Sequence, residues 1–467
     1  MFENILYAST EMIILLGILT IFLNAFISKS TSNRTFQIAK STILISAFFA
    51  VLFYNKSFCT TYFQNSAYIV LSYVLTTFLM YIWLSLSAKS RLALKDISQT
   101  KLCINALSIL LLISVFMKSL HFVTTFLSLS GIICFQFLLF CLSKPSEELY
   151  HTGRRYGIIS LFLLLLMAVS IYLLRGGDFS YQNAAEYLVM TTPLIKMTVI
   201  IGVLCMFLFL IGAAPFHFWL SDSISPVVLP IATYFSIVPL LAFWSVFFSL
   251  NAQFFAQSAD HLSQIYFGFG ALSVICGALG ANSSRFLRKI FAFIGLYHTG
   301  VLLLLMSTLK LESLSSCYIY LEIYLMLMLG VYICFYTFKT NGTYVSTIND
   351  LEGIASMRPY VSSAFLFLIL SLAGFPPLMG FVMQYAALSK LGDSMPCVYL
   401  ILGGSFALLP VFIKILQSVY ILPRKDTFDR VDAGLYFYLL VYMGFVLALM
   451  IKPNILLFQT DIIYNIG

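Results

Sequence analysis

The sequence predicts an all-α polytopic membrane protein with about fourteen transmembrane helices, and three observations support this prediction. Hydrophobic residues make up 61% of the 467 residues and charged residues only 9%, whereas a soluble globular chain carries about 25% charged residues. Apolar runs long enough to cross a bilayer recur along the chain, and lysine and arginine concentrate in alternate loops. Because no long hydrophilic loop separates these runs, we expect no soluble catalytic domain.

The apolar runs set the order of the predicted spans. A helix of about 17–25 apolar residues crosses the roughly 30 Å hydrocarbon core of a bilayer. By this criterion the sequence predicts spans near 8–27, 40–54, 66–87, 102–118, 122–142, 156–174, 190–213, 227–250, 264–280, 286–307, 315–337, 358–388, 396–422 and 433–451.

The basic residues predict the orientation of the spans. Alternate loops carry several lysines or arginines, such as Arg285, Arg288 and Lys289, whereas the intervening loops carry mostly single charges, such as Lys118 and Lys310. Cytoplasmic loops are enriched in lysine and arginine. The basic loops are therefore predicted to face the cytoplasm or the mitochondrial matrix, which also accounts for the formal net charge of +8.

Glycine and proline interrupt two of the predicted spans. Proline removes a backbone donor and clashes with the preceding turn, so each helix must break. Free backbone groups are tolerated in hydrocarbon only where protein or a water-filled cavity satisfies them, which makes a broken helix an indicator of a transport path. The interruption in the seventh span contains Gly212 and Pro215, and the one in the twelfth contains Gly374, Pro376, Pro377 and Gly380.

The positions of the two breaks predict an internal repeat. Spans 4–8 and 9–13 form two five-helix groups, each with its broken helix in fourth position, and an odd helix number gives the groups opposite topology. We therefore predict one membrane domain, 1–467, with four parts. These are an N-terminal three-helix segment (1–101), a first inverted repeat (102–250), a second inverted repeat (264–422), and a C-terminal helix and tail (433–467).

Four segments in order resemble a known family. They are AAPFHFWLSD (213–222), RKIFAFIGLYHTG (288–300), YIYLEIYLMLMLG (318–330) and DLEGIASMRPYVSSAFLFLILSLAGFPPLMGF (350–381). They resemble the antiporter-like membrane subunits of complex I, in particular subunit N of bacterial NADH-quinone oxidoreductase, which corresponds to mitochondrial subunit 2. Parts of these segments are also shared with Mrp-type antiporter subunits.

The resemblance implies a multi-pass subunit in the membrane arm of a proton-translocating NADH:ubiquinone reductase. It implies a bacterial inner (plasma) membrane or a mitochondrial inner membrane as its location. The expected partners are other membrane-arm subunits and lipids, with no nucleic acid. NADH, FMN, iron–sulfur clusters and quinone would be bound by partner subunits, and we expect no cofactor, metal or redox-active site in this chain.

The family moves protons with one glutamate and three lysines, and this chain departs from that pattern. By the resemblance, these positions fall at Ser130, Leu210, Leu240 and Gln384, none of which is ionisable. A slip of register is the alternative explanation, but no lysine lies within a helical turn of the last three positions; Lys196, for example, is about 21 Å along a helix from Leu210. We therefore predict that proton translocation is weakened or absent and that the role is mainly structural.

Four polar residues remain candidates for a proton path: His217, His298, Glu322 and Gln384. His217 follows the first break and could instead hydrogen-bond its freed backbone. His298 matches a family histidine, with structural hydrogen bonding as the alternative. Glu322 is an intramembrane acid, a type of residue that usually has a function, although it could also reach the interface. Gln384 can bind water but cannot titrate.

Two further ionisable residues, Glu11 and Lys414, lie in or near predicted spans. We expect Glu11, in the first span, to serve packing or the interface, and Lys414, near the basic end of span 13, to extend its amine to the membrane surface. The alternative functions are a cation/proton antiporter subunit of the Mrp type and a non-pumping paralogue with an assembly role.

Overall fold

The structure, a computed structural model, describes residues 8–27, 32–52, 58–59, 62–90, 99–142, 147–174, 179–224, 226–255, 259–340, 342–392, 394–423 and 428–451. Backbone contacts divide these residues into two compact units. The first holds the described residues up to 211 together with 226–255, and the second holds 212–224 and the described residues from 259 onward.

The first unit is built from helices and one short hairpin. Its helices are α1 (Ser9–Ile27), α2 (Ser32–Leu52), α3 (Ala67–Lys89), α4 (Gln99–Lys118), α5 (Phe122–Cys141), α6 (Glu147–Leu173), α7 (Tyr181–Met190), α8 (Pro193–Leu210) and α10 (Leu229–Leu250), the last continued by a π-helical turn, Asn251–Phe255. Strands β1 (Phe58–Cys59) and β2 (Gln64–Asn65) pair antiparallel, with Phe58 opposite Asn65.

The second unit contains the remaining helices. They are α9 (Phe218–Ile224), α11 (Ala259–Ser283), α12 (Leu287–Met306), α13 (Leu311–Thr337), α14 (Ile354–Met357), α15 (Pro359–Leu372), α16 (Met379–Lys390), α17 (Met395–Tyr420) and α18 (Ala433–Ile451). A 3₁₀ turn, Asn349–Leu351, precedes α14, and strands β3 (Lys339–Thr340) and β4 (Thr343–Tyr344) form an antiparallel hairpin.

The all-α polytopic membrane class is confirmed. Among the described residues, twelve helices are long and apolar enough to cross a membrane, and Ser9–Ala25 and Pro359–Leu372 are shorter apolar helices. Helix α15 and helix α16 form the two halves of the predicted twelfth span. The count of fourteen spans, the inverted repeats and the four-part division of the chain stay predictions.

Several helices begin earlier than the apolar runs predicted, including α2, α6 and α13. Helix α2 begins at Ser32 rather than near 40, α6 at Glu147 rather than near 156, and α13 at Leu311 rather than near 315. Polar and charged residues occupy these extra turns. A helix continues beyond the hydrocarbon core where its polar side chains reach the interface, so hydropathy alone places the helix ends too far inward.

Helix α10 is the centre of the first unit, and all of its residues except Ser249 are buried. The indole Nε1 of Trp83 on α3 donates to the Pro230 carbonyl at 2.6 Å, and the Tyr68 hydroxyl donates to the Ser245 carbonyl at 3.1 Å. Since few polar groups find partners in hydrocarbon, these bonds fix α3 against α10 near both of its ends.

Helices α11 and α12 form the closest pair of the second unit. A Cβ atom on Gly277 would lie 2.5 Å from the backbone nitrogen of Tyr297, and one on Gly300 would lie 2.7 Å from the backbone nitrogen of Val274. Small residues allow helix backbones to approach closely in membranes, where packing rather than the hydrophobic effect drives association. This pairing positions His298 on α12.

Candidate functional site

The first break separates α8, which ends at Leu210, from α9, which begins at Phe218. Gly212 adopts a left-handed conformation with φ of 72°, which a residue with a Cβ adopts only at a cost. The backbone N–H of Ala214 donates to the Ser273 hydroxyl of α11 at 2.9 Å. The carbonyl of His217 accepts the backbone N–H groups of Leu220 and Ser221 at 2.9 and 3.3 Å. Protein groups thus satisfy freed backbone at this break, as hydrocarbon requires.

The second break separates α15 from α16 and has a similar construction. Gly374 is also left-handed, with φ of 78°. The backbone N–H of Gly380 donates to the Ser371 hydroxyl at 3.0 Å, and a Cβ on Gly380 would overlap the Ser371 carbonyl. The half-buried Gln384 folds its amide back over Gly374, where a Cβ would overlap the Gln384 Oε1 atom. The break and Gln384 therefore form one packed unit.

Two of the positions that the resemblance assigns to family lysines are buried and apolar. Leu210, the last residue of α8, is 2% exposed, and Leu240, next to Pro239 in α10, is 6% exposed. Neither side chain can carry a proton. Whether they descend from relay lysines stays a prediction from the resemblance.

Ser130 has a different environment from these two leucines. Its hydroxyl donates to the Leu127 carbonyl of its own helix at 2.8 Å, and its helical neighbours Leu127 and Cys134 are exposed. Ser130 thus lies toward the outward face of α5. The buried polar residues of α5 are instead Thr125, Ser128 and Gln136, which are also not ionisable.

Gln136 belongs to a neutral hydrogen-bond network that the sequence analysis missed. The Tyr156 hydroxyl of α6 donates to Gln136 Oε1 at 2.7 Å, and Gln136 Nε2 donates to the Tyr234 hydroxyl of α10 at 3.4 Å. All three side chains are buried. The available signal was a glutamine in the middle of an apolar run, which must find a partner when buried.

His298 lies in the interior of the second unit, with 0% exposure. Its Nδ1 atom is 2.8 Å from the Tyr320 hydroxyl of α13, and its ring is 4.7 Å from that of Tyr324. Its Nε2 atom is buried and has no partner within the described ranges. Structural hydrogen bonding therefore explains Nδ1, whereas Nε2 has no hydrogen bond within the described residues.

Glu322 is buried on the same helix, at 3% exposure. Its carboxyl forms a hydrogen bond with the Tyr318 side chain, one turn earlier. Because α13 begins at Leu311, Glu322 lies about 16 Å along the helix from that end. Glu322 is thus buried inside the second unit, and whether it serves a proton path or reaches the interface stays a prediction.

His217 is half-buried between aromatic rings. Its ring centroid is 6.5 Å from that of Phe218 and 6.2 Å from that of Phe293. Its buried Nδ1 atom has no hydrogen-bond partner among the residues described. The backbone carbonyl of His217, rather than its Nδ1, is what begins α9.

Glu11 and Lys118 form an ion pair in the first unit. Lys118 Nζ lies 2.8 Å from Glu11 Oε1 and donates to the Thr10 hydroxyl at 2.9 Å, with side chains only 15% and 16% exposed. The pair joins the start of α1 to the end of α4, in agreement with a packing role for Glu11. Lys414 is exposed in the last two turns of α17.

Comparison with known proteins places this architecture in a family. The model of a transmembrane family described as NADH:quinone oxidoreductase/Mrp antiporter matches residues 119–409. The chain is 25% identical over 437 residues to NADH-quinone oxidoreductase subunit N of Pelagibacter ubique (strain HTCC1062), covering 91% of this chain and 92% of that protein.

Solved structures have the same fold. A chain of respiratory complex I from Thermus thermophilus with bound aureothin gives a TM-score of 0.79 at 16% identity, covering 95% of this chain and 97% of the other. A chain of the Mrp complex from Dietzia sp. DQ12-45-1b gives 0.85 at 15% identity, covering 98% and 96%. Because the family model matches more than half of its residues, this multi-pass membrane protein belongs to the NADH:quinone oxidoreductase/Mrp antiporter transmembrane family.

Proposed function

We propose that this chain is an antiporter-like subunit in the membrane arm of an NADH:quinone oxidoreductase. The similarity to subunit N extends over nearly the full length of both proteins, and the four quoted segments lie on the broken helices and on α12 and α13. In this role the chain binds no flavin, iron–sulfur cluster or quinone, which belong to partner subunits. Its main contribution is to seal and join a section of the membrane arm.

The proton step proper to this subunit is weakened or absent. The observation that carries this proposal is the distribution of buried charge. Within the described residues, every histidine, acid or basic residue with at most 7% exposure belongs to the second unit, namely His298, Glu322, Glu352 and Arg358, whereas the Glu11–Lys118 pair of the first unit is 15–16% exposed and lies at helix ends. A relay across about 30 Å of hydrocarbon needs titratable groups at membrane depth. The buried interior of the first unit offers the neutral Gln136 network instead.

Two measurements test this function separately. Affinity purification of the full chain from its native membrane should recover flavin and iron–sulfur subunits with NADH:quinone activity. Recovery with antiporter subunits alone would favour the Mrp-type function, for which the Dietzia sp. structure gives the higher of the two TM-scores quoted. That likeness concerns the fold alone, so the purification decides between the two.

The second measurement concerns protons. The purified complex is reconstituted into vesicles, and protons moved per electron pair are compared for the wild type and the Glu322→Gln and His298→Gln variants. We expect an unchanged ratio, since the proposal is that no working relay passes through either residue. A lower ratio at an unchanged NADH oxidation rate would show that a working relay persists.

A further inference from the structure

A cavity of about 840 Å³ lies in the second unit where α11 and α17 end. Asn282 and Arg285 line it from the end of α11, and Lys414 and Gln417 line it from the last turns of α17. Nothing in the proposed function uses this cavity. A ligand bound in this cavity would therefore be independent of the proposed function.

Hydrogen bonds fix the segments that form the walls of the cavity relative to one another. The Asn282 amide donates to the Ala407 carbonyl of α17 at 2.5 Å, which ties α11 to α17. The Ser418 hydroxyl donates to the Ile348 carbonyl at 2.7 Å, and the Ile348 N–H donates to the Arg285 carbonyl at 3.2 Å. These bonds close a ring through both helices and the segment before α14. The cavity is thus a preformed feature.

Two cations line the cavity without counter-charges. Arg285 and Lys414 are exposed, and neither forms an ion pair or a side-chain hydrogen bond within the described part of the chain. The nearby acid Asp350 directs one carboxylate oxygen to the backbone N–H groups of Ser346 and Thr347, at 3.0 and 2.8 Å. The described lining contains these two cations and no acid, so it carries net positive charge.

The lining also combines polar and apolar groups. The side-chain amides of Asn282 and Gln417 can donate hydrogen bonds, while Ile421 and Leu422 supply apolar surface at the end of α17. The apolar stretches of α11 and α17 end here, on the side predicted to face the cytoplasm, and this is the depth of lipid head groups. Basic pockets between helices at this depth suit anionic head groups.

The ends of α11 and α17 could by themselves explain the presence of cations. A helix C-terminus carries about half a negative charge, which favours nearby lysine and arginine. Here two full positive charges face the cavity and neither side chain donates to a helix carbonyl among the described residues, so attraction for an anion remains. We propose that this cavity binds the phosphate group of an anionic phospholipid.

Native mass spectrometry of the delipidated full chain tests this proposal. Phosphatidylglycerol is titrated into the wild type, into Arg285→Gln/Lys414→Gln, and into the control Arg154→Gln/Arg430→Gln, which removes two exposed arginines outside the cavity. We expect the dissociation constant to rise about fivefold for each cavity cation removed, hence about twenty-five-fold for the pair. The control should match the wild type.

Two further titrations identify the source of the phosphate. Zwitterionic phosphatidylcholine, whose choline cation offsets the charge of its phosphate, should lose less affinity than phosphatidylglycerol when the two cavity cations are removed. Inorganic phosphate should compete with phosphatidylglycerol only weakly, since it lacks acyl chains for Ile421 and Leu422. If inorganic phosphate alone binds tightly, the ligand of the cavity is a soluble phosphate and not a lipid. Equal phosphatidylglycerol affinity in the wild type, cavity variant and control would overturn the proposal.

Discussion

Replacing Gly277 by alanine should separate α11 from α12 and destabilise the second unit. The new Cβ would lie 2.5 Å from the Tyr297 nitrogen and 2.8 Å from the Phe293 carbonyl oxygen. An ordinary contact begins at 3.4 Å, so the helices must part by roughly 0.6–0.9 Å. A gap of about this size loses a quarter to a half of the dispersion energy of each contact it opens, and overpacking typically costs about 1–3 kcal/mol. We expect a loss of about 2–3 kcal/mol.

The measurement is the free energy of unfolding of the full chain in mixed micelles, with Gly268→Ala as the matched control. Gly268 lies on the same helix, and a Cβ there meets nothing within 4 Å. Since alanine is the better helix former, the control should be unchanged or more stable by up to about 1 kcal/mol. If Gly277→Ala is as stable as Gly268→Ala, the close approach does not hold these helices together.

Three further substitutions test other contacts by the same measurement. Tyr320→Phe removes the partner of His298 Nδ1 and should cost about 1–2 kcal/mol; an unchanged stability would mean that this bond contributes nothing. For the ion pair, a double-mutant cycle with Lys118→Met and Glu11→Gln should give a coupling energy above about 1 kcal/mol, because both side chains are mostly buried; a value near zero would contradict this. Burial would raise the pKa of Asp350, but hydrogen bonds from the preceding turn outweigh it and lower the pKa below its usual value. Asp350 therefore stabilises the fold above a pH of about 3.9, and this contribution is lost as the pH falls through the folded-state pKa. The stability gap between the wild type and Asp350→Asn should shrink as the medium is acidified, and a constant gap would disprove the linkage.

Composition and the interrupted runs predicted the class and the two broken helices because each rests on a strong local effect. Transfer of about twenty apolar residues into hydrocarbon dominates any other preference of a segment. Proline excludes a continuous helix wherever it occurs inside one. The left-handed glycines Gly212 and Gly374 fall inside the segments identified in this way.

The orientation of side chains around each helix was much harder to predict. A helix that is apolar on all sides gives no periodic signal for the face that is buried. Ser130 thus looked equivalent to an inward relay position, whereas the structure places it toward the outward face and buries Gln136 instead. Partners such as Tyr156 and Tyr234 come from distant parts of the chain, so only the folded arrangement reveals their network.

The broken helices do not by themselves indicate transport, and the energetics of substitution explain why. A lysine in hydrocarbon costs several kcal/mol unless it is solvated or paired, so an apolar residue at Leu210 or Leu240 removes a cost and packs well. The break is held by sterics instead: a Cβ on Gly380 would overlap the Ser371 carbonyl, and Gly374 holds a left-handed conformation under the amide of Gln384. Substitution there disrupts packing whether or not protons move. A chain can therefore lose its ionisable relay at little cost in stability while the breaks remain, and the titratable side chains, rather than the glycines and prolines, decide whether protons cross.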